Sequence, residues 1–149
     1  MVDFKNILFP VDLSESSIKI VPFVRYVLEK IRGKIHVLLV VQDVQQYVGL
    51  YVPHPSIEGF ATEIEKASVQ KLQEFYEEHM EGMGEVKLST LVGDPAEEIL
   101  KYARDNGIDL IVMGTHGRKG LDRLFFGSVA EKVVKQSPVP VMTINPHNI

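Results

Sequence analysis

Short apolar runs alternate along this chain with longer segments in which apolar residues recur at helical spacing. The runs are NILFPV, VLLVV, EVKLSTLV, LIVM and VPVMTI, each of a length typical of a β-strand. Between them, Ile20, Phe23, Val24 and Val27 exemplify the i, i+3, i+4, i+7 spacing of an amphipathic helix. Strands that alternate with helices predict an α/β fold, with a mostly parallel five-stranded sheet covered by helices on both faces.

The residue types within each run indicate where its strand lies in the sheet. NILF, VLLVV and LIVM are continuously apolar, as strands buried on both faces are. The third run alternates apolar and polar residues, and the fifth contains Pro140, which is tolerated mainly at sheet edges. The order 3-2-1-4-5, a Rossmann-like arrangement, fits this pattern. It predicts a switch point between strands 1 and 4, where open α/β sheets bind ligands.

The first two helices and the loop between the second strand and the second helix can be located in the sequence. Ser14 can cap the first helix, Pro22 predicts a kink within it, and Gly33 is expected to end it. Residues 44–57 have no clear period and are predicted to form a long loop. A second helix is expected from about residue 59 to residue 81.

The third and fourth helices carry clearer signals. Asp94 is predicted to cap the third helix, with Pro95 in its first turn and Glu97 at capping-box spacing. Gly107 is expected to end it. The fourth helix is predicted over residues 128–136, directly after a glycine-rich connection.

Composition narrows the class of protein. With 149 residues the chain is most simply one domain, residues 1–149. Its 16 basic and 20 acidic residues give no indication of a nucleic-acid or membrane-surface partner. The chain has no cysteine, no apolar run near the roughly 20 residues that span a bilayer, and no signal-peptide pattern. A cytoplasmic location is therefore expected. No cluster of His, Asp and Glu has metal-ligand spacing.

Two features follow the strands that flank the predicted switch point. Asp12 comes just after strand 1, and a connection with Gly114, Gly117, Gly120 and Gly127 follows strand 4. A glycine-rich connection that leads into a helix is typical of an anion site, because the first helical amides are unpaired and the helix dipole favours negative charge. The spacing is neither a Walker motif nor G-x-G-x-x-G.

The spacing of these glycines resembles that of the ATP-binding branch of the universal stress protein family. That branch carries G-x2-G-x9-G-[ST], which this chain matches with Gly114, Gly117, Gly127 and Ser128. The segment PVDLSES is similar to the family's opening P-x-D-x-S, through Pro10, Asp12 and Ser14. The resemblance covers essentially the whole chain.

The resemblance implies a site for ATP, with Mg²⁺ or Mn²⁺ held on the phosphate oxygens and no metal ligand from the protein. The implied nucleotide-binding residues are Pro10, Val11, Asp12, Val41, Met113, Gly114, Thr115, His116, Gly117, Arg118, Gly127, Ser128 and Val129. Val40 is the alternative to Val41 after a small register shift. The family also implies a homodimer paired through the last strand, Val139–Ile144.

The function expected from this resemblance is a nucleotide-dependent switch in the stress response, acting on an unknown protein partner. Hydrolysis is expected to be very slow at most, because no general base and no Walker lysine are evident. The alternative function is a dimeric interaction module without nucleotide. The residues also have structural readings: a flexible glycine connection, with Asp12 and Ser128 as helix caps. Gly127→Val is expected to abolish binding and to leave the fold largely intact.

Overall fold

The computed structural model describes residues 2–42, 55–116 and 127–149. Its strands are β1 (Asn6–Val11), β2 (Lys34–Val41), β3 (Val86–Val92), β4 (Leu110–Gly114) and β5 (Val141–Ile144). Its helices are α1 (Glu15–Ile31), α2 (Pro55–His79), α3 (Pro95–Asp105) and α4 (Ser128–Gln136). A short 3-10 turn, Pro146–Asn148, follows β5 and was not predicted from the sequence.

The described strands form one sheet in the order β3-β2-β1-β4-β5, which confirms the predicted order. Every neighbouring pair is parallel. In the centre of the sheet, Ile7 of β1 lies opposite Ile35 of β2 on one side and Leu110 of β4 on the other. From β1 the sheet extends through β2 and β3 on one side and through β4 and β5 on the other. The switch point therefore lies between β1 and β4.

Side-chain alternation along β1 divides the core between the two faces of the sheet. Ile7 and Phe9 pack with residues of α1 and α2, whereas Leu8 packs with residues of α3 and α4. All three side chains are completely buried. A strand with both faces covered needs apolar residues at successive positions, which explains the continuous apolar run.

Two helix boundaries differ from the prediction. Helix α2 begins at Pro55 rather than near residue 59, because proline suits the first turn of a helix, where its missing amide hydrogen is not needed. Helix α1 continues through Pro22 and ends at a left-handed Arg32, whose amide donates to the Leu28 carbonyl at 2.9 Å. Gly33 serves close packing, since a Cβ there would lie 2.5 Å from the Lys5 carbonyl oxygen.

Helix α3 begins as predicted, with one difference in its side-chain bonds. Asp94 Oδ2 accepts a hydrogen bond from the Glu97 amide at 3.0 Å, and Pro95 lies in the first turn. The Glu97 carboxylate is paired with Lys132 of α4 at 3.3 Å, so the structure links two helices where the sequence predicted a capping box. None of the described helices is long and apolar enough to cross a membrane.

Candidate functional site

An open cleft lies at the carboxyl ends of β1 and β4, where the switch point was predicted. It contains about 600 Å³ of free space, its mouth included. The predicted site residues that line it are Pro10, Val11, Asp12, Met113, Gly114, His116 and Val129. The lining is mainly apolar with a few polar groups, as in most small-molecule sites.

The cleft also has walls that the sequence did not predict. They are contributed by Ser17, Ile20, Leu38, Pro95 and Ile99. Ile20 and Ile99 belong to the apolar stripes of α1 and α3, and nothing in the sequence separates a wall residue from a core residue on such a stripe. Pro95 lies in the first turn of α3, so that helix also begins at the cleft.

The structure corrects the contribution of β2. Val40 lines the cleft on the α3 and α4 side of the sheet, whereas Val41 packs against the core on the α1 and α2 side. Adjacent residues of a strand point to opposite faces, and of these two it is Val40 that lines the cleft. The lining of the cleft therefore favours Val40, the alternative named above, over Val41 as the candidate residue of β2.

Asp12 organises the turn between β1 and α1. Its Oδ1 accepts hydrogen bonds from the Ser14 amide at 2.9 Å, from the Ser17 hydroxyl at 2.8 Å and from the Ser14 hydroxyl. The Asp12 amide in turn donates to Ser17 Oγ at 3.1 Å. These bonds use a single carboxylate oxygen, and among the described residues Oδ2 has no hydrogen-bond partner. Ser14 is the N-cap residue of α1, as predicted, but its side chain makes no cap bond to the helix.

Leu13, between Asp12 and Ser14, has a left-handed backbone with φ of 63°. For a leucine this conformation is strained, by about 1–3 kcal/mol. Leu13 is held in this conformation by the hydrogen bonds that Asp12 Oδ1 accepts from Ser14 and Ser17. The packing of the Leu13 side chain against the core also holds it. This conformation is not predictable from the sequence, because a left-handed residue is usually a glycine or an asparagine.

Thr115 joins the end of β4 to the beginning of α4. Its amide donates to the Ile144 carbonyl at 2.9 Å, and its carbonyl accepts from the Gly127 amide at 2.7 Å. A Cβ at Gly127 would lie 2.9 Å from that same carbonyl oxygen, and a Cβ at Gly114 would lie 2.5 Å from Ile20 Cδ1. Gly127 is therefore required by the packing of the backbone, whether or not a ligand is bound, whereas at Gly114 the close atom is the end of an isoleucine side chain, which can move.

The first turn of α4 offers hydrogen-bond donors beside the cleft. Gly127, not Ser128, is the N-cap residue, and Ser128 is the exposed first residue of the helix. The first backbone bond of the helix runs from the Glu131 amide to the Gly127 carbonyl. The amides of residues 128–130 precede it and have no described partner, the usual state of a helix N-terminus. Such amides bind anions.

His116 lies on the cleft wall between two side chains. Its Nδ1 is 2.7 Å from Thr115 Oγ1, and its ring centroid is 4.6 Å from that of His147. Thr115 is buried. Of the predicted site residues, Gly117 and Arg118 lie outside the described part of the chain. Within that part, no group of three or more His, Cys, Asp and Glu residues could hold a metal ion.

A second polar group is buried away from the cleft. His36 Nδ1 lies 2.8 Å from the Tyr102 hydroxyl, which is also 3.2 Å from Ser89 Oγ. Burial lowers the pKa of His36, and the positive charges of Lys34 and Lys87 lower it further. The group links β2, β3 and α3 inside the core, which favours a structural role for His36.

The fold is that of a doubly wound α/β protein with an open cleft at its switch point, and comparisons identify the family. A model of the universal stress protein family matches residues 3–145. Universal stress protein MJ0577 of Methanocaldococcus jannaschii is 31% identical over 99% of this chain and 98% of its own. Universal stress protein MJ0531 of the same organism is 34% identical over 95% of this chain and 82% of its own. The chain belongs to the universal stress protein family.

Solved structures agree with this assignment. That of MJ0577 covers 97% of both chains with a TM-score of 0.79. Two more distant structures, each 17% identical, share the fold. A universal stress protein in complex with cAMP covers 97% of this chain and 98% of its own, with a TM-score of 0.67. A universal stress protein from Archaeoglobus fulgidus in complex with dAMP covers 97% of this chain and 100% of its own, with a TM-score of 0.56.

Proposed function

We propose that this protein is a cytoplasmic ATP-binding universal stress protein that acts as a nucleotide-dependent switch in the stress response. One observation carries the proposal: Val129, in the first turn of α4, lines the same cleft as the apolar walls, and the amides of residues 128–130 have no partner among the described residues. An adenine nucleotide has the matching order of groups, with a flat apolar base at one end and phosphates at the other.

The base and the ribose have matching surfaces in the proposed site. Val40 and Met113 offer apolar walls for the base, next to the ends of the central strands. Asp12 lines the same cleft, and its Oδ2 has no described partner. A carboxylate only accepts hydrogen bonds, so it suits the hydroxyl groups of a ribose.

The phosphates are proposed to lie at the beginning of α4. The amides of residues 128–130, the Ser128 hydroxyl and the His116 ring are the described groups available to them. Gly117 and Arg118, from the same motif, are further proposed contacts. The phosphate oxygens would hold Mg²⁺ or Mn²⁺, which neutralises their charge.

Relatives add support at the level of the fold. Two solved universal stress proteins are complexes with cAMP and with dAMP, which are both adenine nucleotides. The spacing of Gly114, Gly117 and Gly127-Ser128 adds support at the level of this chain. The more specific part of the proposal is that the nucleotide is ATP rather than an adenine nucleotide with fewer phosphates, and this part rests on the glycine motif.

The proposed role is a switch rather than an enzyme. Asp12 lies at the proposed nucleoside end, three hydrogen bonds occupy one of its oxygens, and the chain has no Walker lysine to polarise a phosphate. Bound nucleotide would change the surface that is available to a partner protein. The change is limited by the difference in the nucleotide's affinity for the two conformations. Turnover at the 1–100 per second typical of kinases would contradict this role.

Acid denaturation of freshly purified protein, followed by anion-exchange chromatography of the supernatant, tests the proposal. An adenine nucleotide near one per chain is the expected result. If the supernatant is empty, calorimetric titration with Mg·ATP is the second measurement. No nucleotide and no heat would reject the proposal in favour of a dimeric interaction module.

A pair of variants tests the location of the phosphates. Ser128→Asp places a negative charge at the start of α4, which weakens Mg·ATP binding by about tenfold or more. The same charge stabilises the helix by about 0.3–1 kcal/mol, so affinity and stability change in opposite directions. Ser128→Thr keeps the hydroxyl and is the control, with affinity near that of the wild type. Equal affinity in all three proteins would remove the phosphates from this helix.

A further inference from the structure

The carboxyl-terminal turn reaches the wall of the cleft. Asn145 Oδ1 accepts a hydrogen bond from the His147 amide at 2.9 Å, and Pro146 is buried, so the turn is fixed on the fold. Its exposed His147 meets His116, with ring centroids 4.6 Å apart and ring planes at 71°. This edge-to-face arrangement is a favourable geometry for aromatic rings.

His116 is held from two directions by these contacts. On one side its Nδ1 is 2.7 Å from the hydroxyl of the buried Thr115. On the other side the His147 ring packs against it edge to face. Because Nδ1 is occupied, Nε2 is the ring nitrogen that remains for a ligand in the cleft.

The chemistry of the ligand decides which tautomer is useful. A phosphate oxygen only accepts hydrogen bonds, so it selects the tautomer in which Nε2 carries the hydrogen. Nδ1 then accepts from the Thr115 hydroxyl, which agrees with the observed contact. A ring held in this tautomer and in a fixed plane is a ready donor to a phosphate.

We propose that His147 is a positioning residue for nucleotide binding, which holds the His116 ring so that Nε2 donates to a phosphate oxygen. This inference rests on the proposed function, because it needs a phosphate in the cleft. It adds a residue outside the glycine motif, and it makes the carboxyl-terminal turn a part of the site.

A double-mutant cycle with Mg·ATP titrated by calorimetry tests the proposal. His147→Ala is expected to raise the Kd about three- to tenfold, as loss of an aromatic pair predicts. His147→Phe keeps a ring edge and is expected to restore the affinity to within about twofold of wild type. In the His116→Ala background, His147→Ala is expected to have no further effect. Wild-type affinity for His147→Ala, or the same loss in both backgrounds, would overturn the proposal.

NMR of the ligand-free protein separates this inference from the proposed function. The imidazole C–H signals of His116, assigned with His116→Ala, are expected to shift in His147→Ala and to stay in place in Asn148→Ala, a change in the same turn. Unmoved signals in His147→Ala would overturn the positioning contact. A wild type that binds no nucleotide would overturn the proposed function instead, and the NMR comparison would still decide whether His147 holds the ring.

Discussion

Single glycines at the cleft are surrounded closely by the protein's own atoms. Gly127 has an ordinary backbone conformation, with φ of −45° and ψ of 135°, so any residue could adopt it. The constraint is the Thr115 carbonyl oxygen, 2.9 Å from the place of a Cβ. A valine at this position would disturb the beginning of α4 itself. Gly127→Val is therefore not the clean test of ligand binding that the sequence suggested.

Gly127→Ala is predicted to destabilise the folded protein. The added methyl group must displace backbone, which costs about 1–3 kcal/mol in the free energy of unfolding. Gly59→Ala, where a Cβ meets nothing within 4 Å, is the matched control. It lies in α2, where alanine is favoured over glycine by up to about 1 kcal/mol. Denaturant unfolding of both variants checks the prediction, which fails if Gly127→Ala is as stable as the wild type.

His36 is predicted to make stability depend on pH. Its pKa is lowered in the folded protein, chiefly by burial, from a usual value of 6.5. The unfolded chain therefore binds the proton more readily, and the free energy of unfolding falls as the pH drops below about 6.5. In His36→Gln this part of the slope is expected to disappear, because glutamine does not titrate. Denaturant unfolding between pH 5 and 8 measures the slope, and equal slopes for both proteins would contradict the assignment.

At the scale of elements, a carboxylate joins the beginnings of two central strands. Asp109 Oδ2 accepts hydrogen bonds from the amides of Lys5 at 2.9 Å and Asn6 at 2.8 Å. The Asp109 amide donates back to the Asn6 carbonyl at 2.9 Å. These bonds start the pairing of β1 with β4 at the end of the sheet opposite the cleft, so they fix the strands whose other ends form the site.

Asp109→Ala is predicted to lower the free energy of unfolding by about 2 kcal/mol, because two backbone donors lose a charged acceptor. Asp105→Ala, at the exposed end of α3, is the control and is expected to change stability by less than about 0.5 kcal/mol. Chemical denaturation of both variants provides the comparison. Equal stability of the two variants would mean that water replaces the carboxylate without loss.

Element types and strand order were predictable, because each depends on local patterns. The continuous apolar runs of β1, β2 and β4 identified the central strands, and the Asp94-Pro95 pair identified the start of α3. Boundaries set by tertiary contacts were not predictable. Gly33 follows the end of α1 because the Lys5 carbonyl is close, and no neighbouring residue in the sequence indicates that contact.

The same distinction applies to the candidate site. Residues directly after β1 and β4, such as Asp12 and Gly114, were predictable because strand order determines which strand ends meet. Val40 could not be chosen over Val41 without the register of β2 in the sheet. Ile20, Ile99 and His147 come from helices and from the last turn, whose distance from the cleft only the folded structure gives.

At the scale of the whole molecule, β5 is the edge of the sheet next to β4. Val134 of α4 and Met142 of β5 are 46% and 40% exposed. An open strand edge can pair with a second chain, and pairing across a two-fold axis closes the assembly. These features support the homodimer through Val139–Ile144 that the family resemblance implies.

Light scattering at micromolar concentration is predicted to give the mass of a dimer. Met142→Lys is expected to shift the protein to the monomer, because it places a charge in the proposed interface on both chains. Val69→Lys is the control, since Val69 is a 54% exposed apolar residue on α2. A monomeric wild type, or equal dissociation by both variants, would reject this interface.

The hydrogen bond between the Gly127 amide and the Thr115 carbonyl has a consequence for how the family can diversify. It brings the two ends of the intervening connection together by bonds that belong to the scaffold. The bond joins backbone atoms that lie outside residues 117–126, so it does not depend on the side chains of that segment. The sequence of the segment can therefore change, and ligand preference with it, while this bond is kept.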